Sequence, residues 1–166
     1  MYKLSEHLTY KEATLSGTAK TLGISNEPNN EQLTNMIELA KNVFEPLRIN
    51  FGVPIYISSM FRSKALNDKV GGSNTSQHCA NDGAAMDLDA DMYGGITNEE
   101  LFFWLLNNVE YDQLIAENVT SKGIGWIHIS YRPNGKNRKQ TLIMTRVNGK
   151  PIYTDYTKEE LNKIIQ

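Results

Sequence analysis

The stretch SQHCANDGAAMDLDA, residues 76–90, places a histidine shortly before a carboxylate that has apolar neighbours. Its second half, GAAMDLDA, has the composition of a buried strand, yet Asp87 stands in it between two apolar residues. A carboxylate in a buried strand is costly unless it is paired or bound to a metal. His78, one of three histidines in the chain, stands at the mouth of the turn that leads into this strand. The stretch therefore indicates a carboxylate with a chemical role and an imidazole close to it.

The composition limits the classes of protein to consider. A chain of 166 residues, 40% of them hydrophobic, is long enough for one domain with a full core, so we predict a single domain over residues 1–166. A net charge of −2 without a basic run argues against nucleic acid as a partner. The single cysteine, Cys79, excludes an internal disulfide framework. No segment approaches the ~20 apolar residues of a membrane span.

The pattern of caps and apolar residues predicts helices first and strands later. Capping boxes at Thr9, Thr97 and Thr157 predict three helix starts, the first helix running towards Leu22. Helical spacing of apolar residues predicts a long amphipathic helix over residues 31–50, kinked near Pro46. This order predicts an α+β fold with a largely antiparallel sheet. The predicted strands are residues 54–60, 83–90, 111–117 and 125–131, and a hairpin turning at Asn148-Gly149.

Three residues form a candidate metal site. His78 ends a polar loop, Asp87 lies on the next strand, and His128 lies in the middle of WIHIS. Two imidazoles and a carboxylate suit zinc, with a fourth position left for water. The alternative is a solvated loop histidine, a core histidine and a hydrogen-bonded aspartate. No tight motif such as HExxH is present, so the spacing alone leaves both interpretations open.

The chain contains the stretches TLSGTAKTLGISNEP, AKNVFEPLR, SSMFRSKALNDKVGGSNTSQH, GAAMDLDA, DQLIAE and GWIHIS. Together they resemble the zinc D-alanyl-D-alanine carboxypeptidase family, which includes phage cell-wall endopeptidases and shares its fold with the hedgehog signalling domain. The resemblance spans residues 5 to about 132. It implies a hedgehog/DD-peptidase-like fold, a zinc cofactor, and His78, Asp87 and His128 as the ligands.

One departure from the family pattern concerns the catalytic base. Many members carry an acidic residue three positions before the last histidine, where this chain has Gly125. The nearest upstream acid is Glu117. If 111–117 and 125–131 form a hairpin, Glu117 comes to lie beside His128 and would take a proton from the attacking water. The alternative is a solvated glutamate at a turn.

A second departure lies just after the first histidine. The segment from His78 to Gly83 is two residues longer than the family's usual Ser-x-His-x-x-Gly. A turn at Asn-Asp-Gly would absorb the extra length. The insertion makes Asp82 a rival ligand. Cys79 is another, although it would need a sharp turn to reach the same ion as its neighbour, which favours a buried thiol.

The resemblance also implies substrate contacts. Arg62 matches an arginine that holds a substrate carboxylate or the developing oxyanion, and a guanidinium fork suits either task. Ser76 matches a substrate-binding serine. The alternatives are an ordinary surface arginine and a loop serine that caps a turn.

These features lead to an expected function. We expect a monomeric zinc peptidase that acts on peptidoglycan peptides, and we consider two non-catalytic alternatives. One is a zinc-stabilised module that binds cell-wall peptides, and the other is a zinc-free structural protein of a phage tail. Because MYKLSEHLTYKEATLSG has no apolar signal region, we expect synthesis in the cytoplasm and action on the cell wall as a phage lysin or virion component.

Overall fold

A computed structural model describes residues 2–133 and 135–166. Its helices are α1 Tyr10–Thr14, α2 Gly17–Leu22, α3 Asn30–Leu39, α4 Glu45–Phe51, α5 Lys64–Lys69, α6 Asn98–Asn108 and α7 Lys158–Ile165. Its strands are β1 Lys3–Ser5, β2 Leu8–Thr9, β3 Tyr56–Ser59, β4 Ala84–Asp89, β5 Gln113–Glu117, β6 Trp126–Tyr131, β7 Gln140–Val147 and β8 Lys150–Asp155.

Six of the strands form one sheet in the order β3-β4-β6-β5-β7-β8. All neighbours in it are antiparallel except β5 and β7, which are parallel. The helices of the first half precede most of these strands. The predicted α+β class with a largely antiparallel sheet is confirmed.

Strand β4 shows how the sequence divides the sheet into two faces. Met86 and Leu88 are fully buried and belong to the hydrophobic core, together with Ile127 and Ile129 of β6. Alternate residues of a strand point to opposite faces, so Asp87 points away from this core. The apolar neighbours of Asp87 thus anchor the strand while the carboxylate lies on the other face.

The predicted long helix over residues 31–50 is interrupted. A turn of π-helix, Ala40–Phe44, separates α3 from α4, and Pro46 lies in the first turn of α4. Proline lacks the N–H that would continue the regular hydrogen-bond ladder, and this missing hydrogen bond explains the change from α-helix to π-helix next to it. Gly52 ends α4 in the left-handed conformation, as expected for a helix C-terminus.

The N-terminal region differs from the prediction in detail. The capping box of Thr9 and Glu12 is present, but α1 ends at Thr14 and Ser16 caps a separate helix, α2. Strands β1 and β2 form a small hairpin that the sequence did not predict. With three and two residues, these strands are too short for an alternating pattern to stand out.

The two predicted hairpins are confirmed. Strands β5 and β6 pair in antiparallel fashion, and so do β7 and β8. Asn148 and Gly149 both have positive φ, 51° and 78°, as a two-residue turn of the I′ type requires. In the described residues, no helix is long and apolar enough to cross a membrane.

Candidate metal centre

The pairing of β4 with β6 brings Asp87 and His128 side by side. The two residues are direct partners in the antiparallel register. Directly opposed residues point to the same face, and Oδ1 of Asp87 lies 3.0 Å from Nδ1 of His128. The sheet itself therefore holds two of the three predicted ligands.

The third predicted ligand, His78, reaches the same point from a single turn of 3-10 helix, Gln77–Cys79. Its side chain is 3% exposed, and its Nε2 lies 3.3 Å from Oδ1 of Asp87. The extra residues after it are absorbed by a turn in which Ala80 and Gly83 have positive φ. A Cβ on Gly83 would lie 2.3 Å from the carbonyl oxygen of Tyr131, so this position requires glycine.

The hydrogen bonding of His78 fixes its tautomer. Nδ1 lies 2.7 Å from the carbonyl oxygen of Met60. A carbonyl only accepts, so Nδ1 carries the proton and Nε2 of the neutral ring has a lone pair. That lone pair faces the carboxylate of Asp87 at 3.3 Å, and a cation between two facing acceptors would stabilise this arrangement. Burial outweighs the attraction of Asp87 and lowers the pKa of His78, which disfavours a second proton on the ring.

The donor set therefore fits a metal ion. One ligand atom from each of His78, Asp87 and His128 lies within 4.8 Å of the others. Tetrahedral zinc with bonds of about 2.0–2.1 Å has its ligand atoms roughly 3.4 Å apart, close to the 3.3 Å and 3.0 Å that separate the two imidazole nitrogens from Oδ1 of Asp87. Although burial opposes ionisation, the two imidazoles lower the pKa of Asp87, so it is a carboxylate as a ligand must be.

The rival ligands lie outside this group. The side chain of Asp82 is 73% exposed and pairs with Arg132 at 3.2 Å. Cys79 is a buried free thiol, and burial raises its pKa, which disfavours the thiolate. The remaining histidine, His7, pairs with Glu45 in a more exposed cluster far along the chain.

Glu117 occupies the position that the hairpin prediction required. It ends β5 opposite Trp126, on the face that carries His128, and it is 8% exposed. No hydrogen bond to its carboxylate occurs among the described residues. Burial, with a contribution from Asp87, raises the pKa of Glu117 to about 7, against the opposing attraction of His128. The position of Gly125 has little room for an acid, since a Cβ there would lie 3.1 Å from Cβ of Asn118.

Arg62 and Ser76 lie at the same cleft. The backbone N–H of Arg62 donates to the carbonyl of His78 at 2.9 Å, which ties the two segments together. Arg62 precedes the N-cap of α5, Ser63, by one residue rather than starting the helix. Its Nε is buried without a hydrogen-bond partner in the described residues. The hydroxyl of Ser76 makes no helix-capping bond.

The cleft has a volume of about 740 Å³ and contains basic side chains that the sequence did not single out. Two of them, Arg132 and Arg138, are held by Asp112, whose side chain is fully buried. Arg138 donates to both carboxylate oxygens of Asp112, at 3.0–3.2 Å from Nε and 2.6 Å from Nη2. Burial alone would raise the pKa of Asp112, but these hydrogen bonds outweigh it and lower that pKa. The cleft arginines are Arg62, Arg132, Arg138 and Arg146.

A comparison with protein families agrees with the geometry. The sequence pattern of the family described as Peptidase M15 matches residues 6–130, well over half of the chain. The chain belongs to the peptidase M15 family. Peptidases of this family are zinc-dependent, which agrees with the donor set of His78, Asp87 and His128. The match ends before β7, β8 and α7 begin. A search of curated proteins found no match.

Proposed function

We propose that the protein is a zinc-dependent peptidase that hydrolyses stem or cross-link peptides of peptidoglycan, as a D-alanyl-D-alanine carboxypeptidase or as an endolysin-type endopeptidase. The observation that carries the proposal is the group of His78, Asp87 and His128 in a cleft that also contains a buried acid, Glu117. Zinc, when bound by these three residues, would polarise the scissile carbonyl and lower the pKa of a water molecule. Proton transfer and substrate binding would be carried out by side chains of the protein.

Glu117 would act as the general base. Its carboxylate lies on the face of His128, has no competing hydrogen bond among the described residues, and has a pKa near neutrality. A base with such a pKa is efficient near neutral pH. It would take the proton of the attacking water on a carboxylate oxygen and later pass it to the leaving amine.

Arg62 would bind the substrate. Its guanidinium lines the cleft beside His78 and has no acidic partner among the described residues. A substrate carboxylate or the oxygen that becomes negative during attack would accept hydrogen bonds from the end of this guanidinium. Ser76, at the same end of the cleft, would donate a further hydrogen bond to the peptide.

The alternative is a zinc-stabilised module that binds cell-wall peptides without cutting them. The observation that favours it is Gly125, which leaves the family's usual acidic position without a side chain. Under this alternative Glu117 would be a buried acid without a catalytic task.

One experiment separates the two. Purified protein, zinc-loaded or treated with a chelator, is incubated with isolated peptidoglycan, and the products are separated by mass spectrometry. We expect cleavage that the chelator abolishes and added zinc restores. Free D-alanine would identify carboxypeptidase action, and new internal amino termini would identify endopeptidase action. Wall binding without any product would favour the binding module.

A further inference from the structure

The terminal hairpin, β7 and β8 (residues 140–155), forms one wall of the cleft although it lies outside the family match. Strand β7 runs parallel to β5, with Ile115 beside Leu142 and Ala116 beside Ile143. Continued by one residue, this register places Met144 beside Glu117. Leu142 and Met144 both line the cleft. The hairpin thus extends the catalytic face of the sheet on the side of Glu117.

Two polar side chains of the hairpin continue that face. Arg146 follows Met144 by two residues on β7, and Tyr153 is the direct partner of Met144 on β8. Both line the cleft, and Tyr153 is 51% exposed. The neighbouring residues Ile143 and Ile152 belong to the opposite face by strand alternation. The positions of Arg146 and Tyr153 therefore follow from the register.

Among the residues that the structure describes, the guanidinium of Arg146 has no acidic partner. Its one hydrogen bond in the described residues is to the carbonyl of Gly149, at 3.1 Å, within the turn of its own hairpin. Arg132 and Arg138, by contrast, are paired with Asp112. The positive charge of Arg146 reaches the active site, since it acts to lower the pKa values of both Glu117 and Tyr153 against the larger effect of burial.

On these grounds we propose that Arg146 and Tyr153 form a subsite for a carboxylate of the substrate, distinct from the carboxylate that Arg62 would hold. This inference rests on the proposed function, because it assigns the subsite to the peptide that lies across the metal centre. A guanidinium fork and a phenol hydroxyl both donate to a carboxylate, and neither would favour an amide to the same degree. The cleft would then prefer peptides that carry two carboxylates.

The test compares two peptides that differ in one charge. The first is L-Ala-γ-D-Glu-L-Lys-D-Ala-D-Ala with the free α-carboxylate on its D-Glu, and the second has that carboxylate amidated. The values of kcat/KM for both peptides are measured on the zinc-loaded protein, and the values of Kd are measured by calorimetry on the Glu117→Gln variant. We expect the free carboxylate to be preferred about tenfold, the size of a charge-assisted contact.

Three variants assign the preference. Arg146→Met should remove most of it, and Tyr153→Phe should reduce it about threefold, as expected for one neutral hydrogen bond. Lys150→Met is the matched control, because Lys150 loses the same charge from the same hairpin but lies opposite Val147, on the other face. It should keep the full preference. All three side chains are exposed, so the fold should tolerate these changes.

The outcomes distinguish the subsite from the proposed function. Equal kcat/KM values for the two peptides in wild type, or an unchanged preference in Arg146→Met, would overturn the subsite. Cleavage of the peptides would still support the peptidase proposal. A failure to cleave either peptide would count against the peptidase proposal. In that case the Kd values of the two peptides are compared on wild type and on Arg146→Met. Tighter binding of the free carboxylate by wild type, lost in Arg146→Met, would support the subsite, and equal binding or an unchanged preference would overturn it.

Discussion

A single hydrogen bond determines the chemistry available to His78. The carbonyl of Met60 holds the proton on Nδ1, so Nε2 presents its lone pair to the carboxylate of Asp87. In metal-binding histidines, the hydrogen bond made by the ring nitrogen that does not bind the metal sets the tautomer and orientation of the imidazole. The carbonyl belongs to the residue that follows β3, so the ring is oriented by the backbone of the sheet edge and not by another side chain.

The role of Glu117 is testable because stability and activity should change in opposite senses. Glu117→Gln should keep its zinc and lose about 10²–10⁴ in rate, the usual cost of losing a general base. Burial raises the pKa of Glu117 to about 7, so the folded state disfavours the carboxylate. Wild type therefore loses stability as pH rises from the unfolded pKa towards 7.

The variant should consequently be at least as stable as wild type at pH 8. Peptide hydrolysis, zinc content and urea unfolding of both proteins measure the three quantities. Near wild-type hydrolysis by Glu117→Gln would show that the base lies elsewhere.

The role of Arg62 depends on geometry as well as charge. Arg62→Lys keeps the positive charge but loses the planar fork, so it should lower kcat/KM about as much as Arg62→Ala, by roughly 10- to 100-fold. Zinc content should stay intact in both. Lys64→Ala, two residues along the chain and exposed, is the control and should have wild-type activity. Equal activity in all four proteins would make Arg62 an ordinary surface residue.

At the scale of elements, the register of three strands assembles the site. Asp87 of β4 pairs with His128 of β6, which in turn pairs with Ile115 of β5, two residues before Glu117. A slip of one residue in either pairing would move the site residue of the slipped strand to the core face. The apolar residues that alternate with the site residues prevent that slip, because they would then leave the core.

This alternation explains what the sequence predicted well. The strands around Asp87 and His128, the β5–β6 hairpin and the turn at Asn148-Gly149 all have strong local signals, and all are confirmed. The approach of Glu117 to His128 followed from the hairpin alone. In these places neighbouring residues decide the geometry, so the local pattern and the final structure agree.

Features that depend on distant parts of the chain were missed. The parallel pairing of β5 with β7 joins segments far apart in sequence, and no local pattern encodes it. The contact of Asp112 with Arg138 spans 26 residues for the same reason. The cleft wall formed by β7 and β8 was missed as a consequence, since the hairpin was predicted without its place in the sheet.

The Asp112 pair provides a prediction at this scale, because it ties the start of β5 to the segment that enters β7. Asp112→Asn leaves Arg138 without a counter-charge and leaves Arg132 with only its exposed partner Asp82, so it should lower the free energy of unfolding by about 2–4 kcal/mol at pH 7. The folded-state pKa of Asp112 lies below its ordinary value. The contribution is therefore complete above the unfolded pKa of about 3.9 and is lost as pH falls through the folded value.

Urea unfolding of wild type and Asp112→Asn at pH 7 and pH 3 measures both the size of the contribution and its pH dependence. The difference in the free energy of unfolding between the two proteins should be smaller at pH 3. Glu110→Gln is the control, since it breaks an exposed pair with Lys139 at 2.8 Å, and exposed pairs of this kind change stability little. A difference between wild type and Asp112→Asn that is equally large at both pH values would contradict the assignment to an ion pair.

Across the whole molecule, the candidate metal centre joins parts that the backbone connects only loosely. His78 comes from a polar loop, whereas Asp87 and His128 belong to the central strands. A metal bound by all three would cross-link the loop to the sheet, and the loop carries Ser76 and is bonded to Arg62. Zinc would then order the substrate-binding side of the cleft as well as supply its chemistry.

Zinc should therefore stabilise the folded protein measurably. A ligand that binds only the folded state at 100 times its Kd adds about 2.7 kcal/mol, which for a chain of this size raises Tm by roughly 5–10 °C. Thermal unfolding followed by circular dichroism, with chelator and with zinc at fixed concentrations, measures the shift, and elemental analysis measures the zinc bound. His128→Ala should lose both the bound zinc and the shift, because removal of one of three ligands greatly weakens the site. Glu117→Gln should keep both, since Glu117 is not one of the three candidate ligands. A shift of the same size in His128→Ala would mean that zinc binds elsewhere, and the cluster of Glu6, His7 and Glu45 would be the next place to look.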